Sequence, residues 1–109
     1  MQRVAQIIRL KPEVIEEYKR IHAAVWPGVL EQIHRSGIRN YSIFLREPEN
    51  LLFAYFEYHG DDLAADMARM AEDPTTQEWW NVTDPMQSPL ETITEGEWWA
   101  GAEEVFHTD

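Results

Sequence analysis

The sequence of 109 residues contains no cysteine, which excludes disulfides, thiolate nucleophiles, iron–sulfur clusters and cysteine-based zinc sites. Basic residues are scarce as well, since 9 Lys and Arg accompany 20 Asp and Glu and the formal net charge is −11. A phosphate backbone or an anionic membrane surface would repel a chain of this charge. We therefore expect neither a nucleic acid nor a membrane among its partners.

Long hydrophobic runs are also missing, and none approaches the roughly 18–20 residues that span a bilayer. Arg3 and Arg9 bracket the apolar run near the N-terminus, so this run does not have the pattern of a signal peptide. The length is that of one domain, residues 1–109, and a hydrophobic share of 44% suits a globular core. These features predict a cytoplasmic protein of a single domain.

The usual motifs of cofactor and metal sites are absent too. The sequence has no G-x-G-x-x-G, no P-loop and no G-x-S-x-G, and no two histidines have the spacing of a helical zinc site. We therefore expect no cofactor and no metal. Tryptophan, in contrast, is abundant for so short a chain, with five residues. A tryptophan has a large ring and an N–H that needs a partner when it is buried, so each one calls for an explanation.

The hydrophobic pattern predicts an alternation of strands and helices. Four segments have the composition of strands: residues 2–10, 38–45, 51–58 and 102–108. Helical spacing is found in three others: about 24 residues that begin at Pro12 and close at Gly37, residues 61–72 capped by Asp61 or Asp62, and residues 76–84. Pro27 must kink or restart the first of these helices. We interpret residues 85–101 as an ordered loop or lid.

This order predicts an α+β fold of the ferredoxin-like βαββαβ type, with helices on one face of an antiparallel sheet. Both sides of the strand 51–58 are apolar, since Leu51, Phe53 and Tyr55 alternate with residues 52, 54 and 56, which are Leu, Ala and Phe. Helices cover only one side of such a sheet, so the other side needs a protein partner. We expect a homodimer of the dimeric α/β-barrel type.

Three residues are candidates for chemistry on their position alone. Tyr18 and His22 are four residues apart, so both project from one face of the first helix. His22 is either a core histidine bonded to a backbone carbonyl or to Tyr18, or a functional group beside a phenol. Tyr41 lies on the second strand, where strict alternation places it on the side of Arg39 and Ile43. A tyrosine on a strand usually serves packing.

Adjacent tryptophans occur twice, at Trp79-Trp80 and at Trp98-Trp99. Two neighbours on a helix cannot both face the core, so one of Trp79 and Trp80 must point elsewhere. Either one anchors the core while the other covers the edge of the sheet, or the pair forms an aromatic platform for a ligand with apolar faces. The C–H face of a sugar suits such a platform.

Taken together, these residues resemble the L-rhamnose mutarotase family. The resemblance runs from Arg3 to His107 and rests on a combination of motifs in order: Y-x-x-x-H-x-x-x-W-P (residues 18–27), N-Y-S-I-F-L (40–45), N-L-L-F-A-Y-F-E (50–57), the pair Trp79-Trp80 and E-E-V-F-H (103–107). One region departs from it, because family members commonly carry an Asn-Pro-Asp-Asn-Ser-Pro-like loop after the tryptophan pair, where this chain has D-P-M-Q-S-P-L-E-T-I-T-E-G-E-W-W-A-G-A. A loop there that closes over the sugar would affect substrate preference, so the particular sugar stays open.

The resemblance implies a dimeric ferredoxin-like enzyme that interconverts the α and β anomers of a 6-deoxy-hexose without cofactor or metal. It implies that His22 is catalytic and that Tyr18, Tyr41, Trp79 and Trp80 bind the sugar. An imidazole with a pKa near 6.5 both gives and takes a proton at neutral pH, as ring opening requires. Two alternatives are a cofactor-independent monooxygenase on the same fold and a non-catalytic ligand-binding or stress-response dimer.

Overall fold

The structure is a computed structural model that describes all residues from Met1 to Asp109. Its strands and helices follow one another in this order: β1 (Gln2–Leu10), α1 (Ile15–His22), α2 (Pro27–Arg35), β2 (Ile38–Arg46), β3 (Leu51–Tyr58), α3 (Leu63–Glu72), α4 (Pro74–Thr83), β4 (Gln87–Ser88) and β5 (Ala100–Ala102). Two short 3₁₀ turns, Pro12–Val14 and Asp84–Met86, precede α1 and β4.

The sheet is antiparallel, with the order β2-β3-β1-β4, and β5 also pairs with β1. Strands β1 and β3 are central, as the ferredoxin-like topology requires, so the predicted α+β fold class is confirmed. Strand β4 pairs with Arg9 and Leu10, whereas β5 pairs with residues 5–7 of the same edge. The segment between these two short strands therefore lies against the β1 edge at both of its ends.

The predicted last strand at residues 102–108 is wrong. Strand β5 ends at Ala102, and no residue beyond it pairs with the sheet. Val105 and Phe106 have strand composition, but they are 87% and 70% exposed. The pairing of β5 with β1 stops at Ala5, although residues 2–4 of β1 have no other partner on this edge. Glu104, which follows β5, forms an ion pair with Arg3 of β1 (2.9 Å).

The first predicted helix is divided in two. Helix α1 ends at His22, residues 23–26 form a turn, and α2 begins at Pro27. Proline lacks an N–H and therefore suits the first position of a helix, where none is needed. Asp62, one of the two predicted caps, accepts a hydrogen bond from Ala65 N (3.1 Å) at the start of α3. Asp73 caps α4 in the same way.

The helices pack on one face of the sheet. On this face lie two clusters of buried side chains, the first formed by Ile8, Leu10, Ile15, Tyr18 and Leu52, and the second by Ile38, Phe56, Tyr58 and Met70. On the opposite face, Phe44 and Phe53 are cross-strand neighbours and are 62% and 40% exposed. No helix in the structure is of the length and apolarity that crossing a membrane demands.

Candidate active site

A cleft of about 730 Å³ lies between the helices and the sheet face that they cover. All five residues that the sequence analysis selected for the site line this cleft: Tyr18, His22, Tyr41, Trp79 and Trp80. They come from α1, β2 and α4, so the fold brings together side chains that are up to 62 positions apart in the chain (80 − 18). The volume is in the range of small-molecule sites, about 300–1,000 Å³.

Tyr18 and His22 form the centre of one wall. Their rings stack with centroids 4.0 Å apart and planes inclined by 27°. His22 Nδ1 lies 2.7 Å from the backbone carbonyl oxygen of Tyr18. A carbonyl only accepts, so Nδ1 carries the hydrogen and Nε2 carries the lone pair of the neutral ring. The hydrogen bond to a backbone carbonyl that the sequence allowed therefore exists, and it leaves Nε2 unprotonated.

The surroundings of His22 favour the neutral imidazole. Burial lowers the pKa of His22 from its ordinary value of 6.5, and the hydrogen bond to the Tyr18 carbonyl opposes this only in part. The indole of Trp79 packs edge-on against the imidazole, with centroids 5.2 Å apart. At neutral pH the ring is therefore uncharged and can accept a proton.

Tyr41 enters the cleft because β2 contains a bulge. Arg39 pairs with Glu57 and Ser42 pairs with Tyr55, so β2 has one more residue than β3 between these pairs. Asn40 supplies the bend with a positive φ of 51°. The prediction that Tyr41 shares a side with both Arg39 and Ile43 is therefore wrong for Arg39, since the bulge reverses the alternation between them.

The Tyr41 ring packs edge-on against Phe56, with centroids 5.5 Å apart. Although 40% of the residue is exposed, its phenol group lies inside the cleft. Desolvation there, together with the electrostatic effect of Tyr18, raises the pKa of Tyr41 to about 12. Burial likewise raises the pKa of Tyr18, against a hydrogen bond from Gln87 that lowers it. Both phenols therefore keep their hydrogens at neutral pH.

The two adjacent tryptophans of α4 have different surroundings. Trp79 is buried, with 7% of its surface exposed, and contacts His22 and Trp26. Trp80 is half-buried and packs against the second core cluster. Since both also line the cleft, Trp79 is the core anchor of the pair and Trp80 is the more accessible indole.

Three further residues of the cleft were missed by the sequence analysis as site residues. Gln87 is buried, donates from Nε2 to Tyr18 Oη (3.2 Å), and accepts a hydrogen bond at Oε1 from the indole N–H of Trp98 (2.7 Å). Asp84 carries a carboxyl group whose pKa is raised by burial. The doubled tryptophan at 98–99 was a signal for Trp98, but nothing local marked the other two.

The fold is ferredoxin-like α+β, and its cleft, which joins a histidine, two phenols and several indoles, has the size and the largely apolar lining of a small-molecule site. The chain belongs to the L-rhamnose mutarotase family, because the model of that family matches residues 3–108. This family consists of isomerases that act on a carbohydrate. The resemblance inferred from the sequence motifs is confirmed.

Individual relatives agree with this membership. An L-rhamnose mutarotase of Listeria monocytogenes serotype 4b (strain F2365) is 43% identical over 86 residues, which are 79% of this chain and 80% of that protein. One from Oceanobacillus iheyensis is 31% identical and is covered completely, as is this chain. The crystal structure of an L-rhamnose mutarotase from Formosa agariphila superposes over the whole of both chains with a TM-score of 0.78 and 25% identity.

The fold also occurs outside this family. Tetracenomycin F2 cyclase from Streptomyces glaucescens, a type-II polyketide cyclase, has a TM-score of 0.75 to this chain. The match covers 100% of this chain and 98% of the cyclase. Since the identity is 18%, this similarity concerns the fold alone.

Proposed function

We propose that this enzyme interconverts the α and β anomers of L-rhamnose, or of a related 6-deoxy-hexose, by proton transfers through His22. The observation that carries the proposal is the state of His22 in the cleft. Its Nδ1–H is bonded to the Tyr18 carbonyl at 2.7 Å, and burial lowers its pKa, so that Nε2 is a free base at neutral pH. Such a group is suited to general acid–base catalysis.

The reaction needs two proton transfers and no change of oxidation state. His22 Nε2 takes the proton of the C1 hydroxyl, the C1–oxygen bond of the ring breaks, and the ring oxygen receives a proton from the imidazolium. The product is an open-chain aldehyde, whose C1–C2 bond rotates. The C5 hydroxyl then adds to the opposite face of the carbonyl by the reverse transfers, and the imidazole returns to its neutral form.

The remaining candidate residues bind the sugar in this proposal. Tyr18 and Tyr41 keep their hydrogens at neutral pH, because the pKa of each phenol is raised. They are therefore suited to donate hydrogen bonds to sugar oxygens. Trp79 and Trp80 offer flat apolar surfaces to the C–H bonds and the C6 methyl group, and Trp80, the more accessible of the two, suits direct contact.

The test is exchange between anomeric signals, measured by saturation-transfer NMR on the purified protein with a panel of hexoses. We expect exchange above the uncatalysed rate for L-rhamnose. The variant His22→Ala should fold and lose at least about tenfold of this rate, since an acid–base group contributes about 10²–10⁴-fold. His34→Ala, at an exposed histidine of α2, is the matched control and should keep the wild-type rate.

The same measurement distinguishes the alternatives. Binding of a hexose without exchange would favour a non-catalytic ligand-binding protein, and neither binding nor exchange would favour another enzyme on this fold, such as a monooxygenase. Exchange that persists in a folded His22→Ala variant would leave the mutarotase activity standing and contradict the role of His22.

We also propose that two copies of the chain associate through the sheet face that no helix covers. Phe44 and Phe53 are adjacent on this face, and Ile7 is the neighbour of Phe53 on β1. The two phenylalanines are 62% and 40% exposed in the isolated chain. A second copy of the same face would remove this apolar surface from water.

A further inference from the structure

The segment between α4 and β5 contributes a short hydrogen-bonded chain to the cleft. The indole N–H of Trp98 donates to Gln87 Oε1 at 2.7 Å, and Gln87 Nε2 donates to Tyr18 Oη at 3.2 Å. Gln87 is 5% exposed, and Tyr18 is also 5% exposed. Two side chains of the segment between α4 and β5 thus form a hydrogen-bonded chain, and this chain ends at the hydroxyl of Tyr18, whose ring stacks on His22.

The donor and acceptor types of these groups permit only one direction for the chain. An indole N–H donates and never accepts, so the Gln87 oxygen must face Trp98. The amide nitrogen of Gln87 then faces Tyr18, and an amide nitrogen donates and does not accept. Tyr18 Oη must therefore accept this hydrogen bond, so its own hydrogen is not used in the bond to Gln87.

We infer that Trp98 and Gln87 are positioning residues that make the Tyr18 hydroxyl a hydrogen-bond donor to an oxygen of the substrate. This inference rests on the proposed function. Without the indole N–H, the Gln87 amide is free to turn its oxygen toward Tyr18, and the phenol would then donate to Gln87 instead of to the sugar. The hydrogen bond from Trp98 to Gln87 thus determines whether the Tyr18 hydroxyl can donate to the ligand.

The variant Gln87→Glu tests this directly, because it is nearly isosteric and replaces the donor by an acceptor. The introduced carboxylate accepts from Trp98 and also from Tyr18, which withdraws the phenol hydrogen from the sugar. We expect KM for L-rhamnose to rise about fivefold to tenfold, as for the loss of one hydrogen bond, with kcat within about twofold of wild type. Gln77→Glu is the matched control, since that amide donates to the Ala71 carbonyl on the surface.

The pH dependence of KM in Gln87→Glu distinguishes a reversed hydrogen bond to Tyr18 from damaged packing at position 87. A protonated carboxyl group can again donate to Tyr18, so the ratio of KM between Gln87→Glu and wild type should fall toward one as the pH is lowered. Both proteins share the other titratable groups of the cleft, so these affect both KM values: Tyr18, His22, Tyr41, Asp84 and Glu97. A variant that had only damaged the packing would keep a constant ratio.

The variant Trp98→Phe makes the corresponding change without adding a charge. It keeps an aromatic ring and removes the N–H, so we expect KM to rise about threefold with little change in kcat. When combined with Gln87→Glu it should add no further increase, because both changes act on the same hydrogen bond to Tyr18.

The outcomes keep this inference and the proposed function apart. Active wild type with raised KM in both single variants and no additivity supports the inference. Active wild type with an unchanged KM in folded Gln87→Glu, or a ratio that does not depend on pH, overturns the inference and leaves the proposed function intact. A wild type without anomer exchange overturns both.

Discussion

His22 is the residue whose protonation state should be visible in the activity. Burial lowers its pKa below the ordinary value of 6.5, so the neutral imidazole persists to a lower pH than it would in water. Because the proposed mechanism starts with proton uptake by this neutral form, the enzymatic exchange rate should fall as the pH drops through the lowered pKa. We expect kcat/KM to have an acid limb with its midpoint below pH 6.5.

The measurement is the anomer exchange rate by NMR between about pH 4.5 and 8, corrected for the uncatalysed rate at each pH. An NMR titration of the His22 ring should give a midpoint that follows the acid limb. An acid limb centred at or above pH 6.5, or one that persists in His22→Gln, would contradict the assignment of this limb to His22.

At the scale of elements, helix α4 presents two neighbouring indoles that should respond differently to truncation. Trp79 is buried against His22 and Trp26, so Trp79→Ala should lower the free energy of unfolding by about 3–5 kcal/mol. Trp80 is half-buried at the cleft, so Trp80→Ala should cost less stability and raise KM for L-rhamnose. Urea denaturation and NMR exchange measure the two effects. Tryptophan fluorescence of the wild type gives a further measurement of sugar binding. Equal losses of stability in the two variants, with no change of this fluorescence on addition of any 6-deoxy sugar, would contradict a sugar platform.

Strand β2 offers a second prediction, because its bulge turns Tyr41 into the cleft. Tyr41→Phe removes the phenol hydroxyl and keeps the ring packed on Phe56, so it should raise KM by about fivefold to tenfold through loss of one hydrogen bond to the sugar. Asn40→Gly is the control, since glycine accepts the positive φ of 51° and keeps the bulge. Thermal unfolding verifies that both variants fold. A Tyr41→Phe variant that folds and keeps the wild-type KM would exclude a hydrogen bond from Tyr41 to the sugar.

At the scale of the whole molecule, we propose that the chain acts as one domain and pairs with a second copy. Sedimentation equilibrium at micromolar concentration should give twice the chain mass of 12.8 kDa. Phe44→Glu places a charge on the uncovered sheet face of a protein that already carries −11, so it should weaken the dimer by at least tenfold in Kd. Val82→Glu adds the same charge at an exposed position of α4 and should leave the dimer intact. A monomeric wild type would contradict the proposed pairing.

The sequence by itself determined the features that depend on short-range geometry. The sequence predicted the bounds of β1 and β3, the interruption at Pro27, a cap at Asp61 or Asp62, and the common face of Tyr18 and His22. All of these follow from alternation, helical spacing or the chemistry of a single residue. The family motifs then indicated which of these residues belong to one site.

Only the tertiary structure decided the features that depend on which distant segments meet. Which residues pair with the free edge of β1 depended on the path of the folded chain, which brings residues 87–88 and 100–102 to this edge and not residues 103–108. The side on which Tyr41 lies depended on one extra residue in the pairing of β2 with β3. The bond from Gln87 to Tyr18 joins residues 69 positions apart, so no local pattern announces it. Such contacts form only when the whole chain has folded. Their partners are distant in the sequence, and strand pairing and packing bring them together.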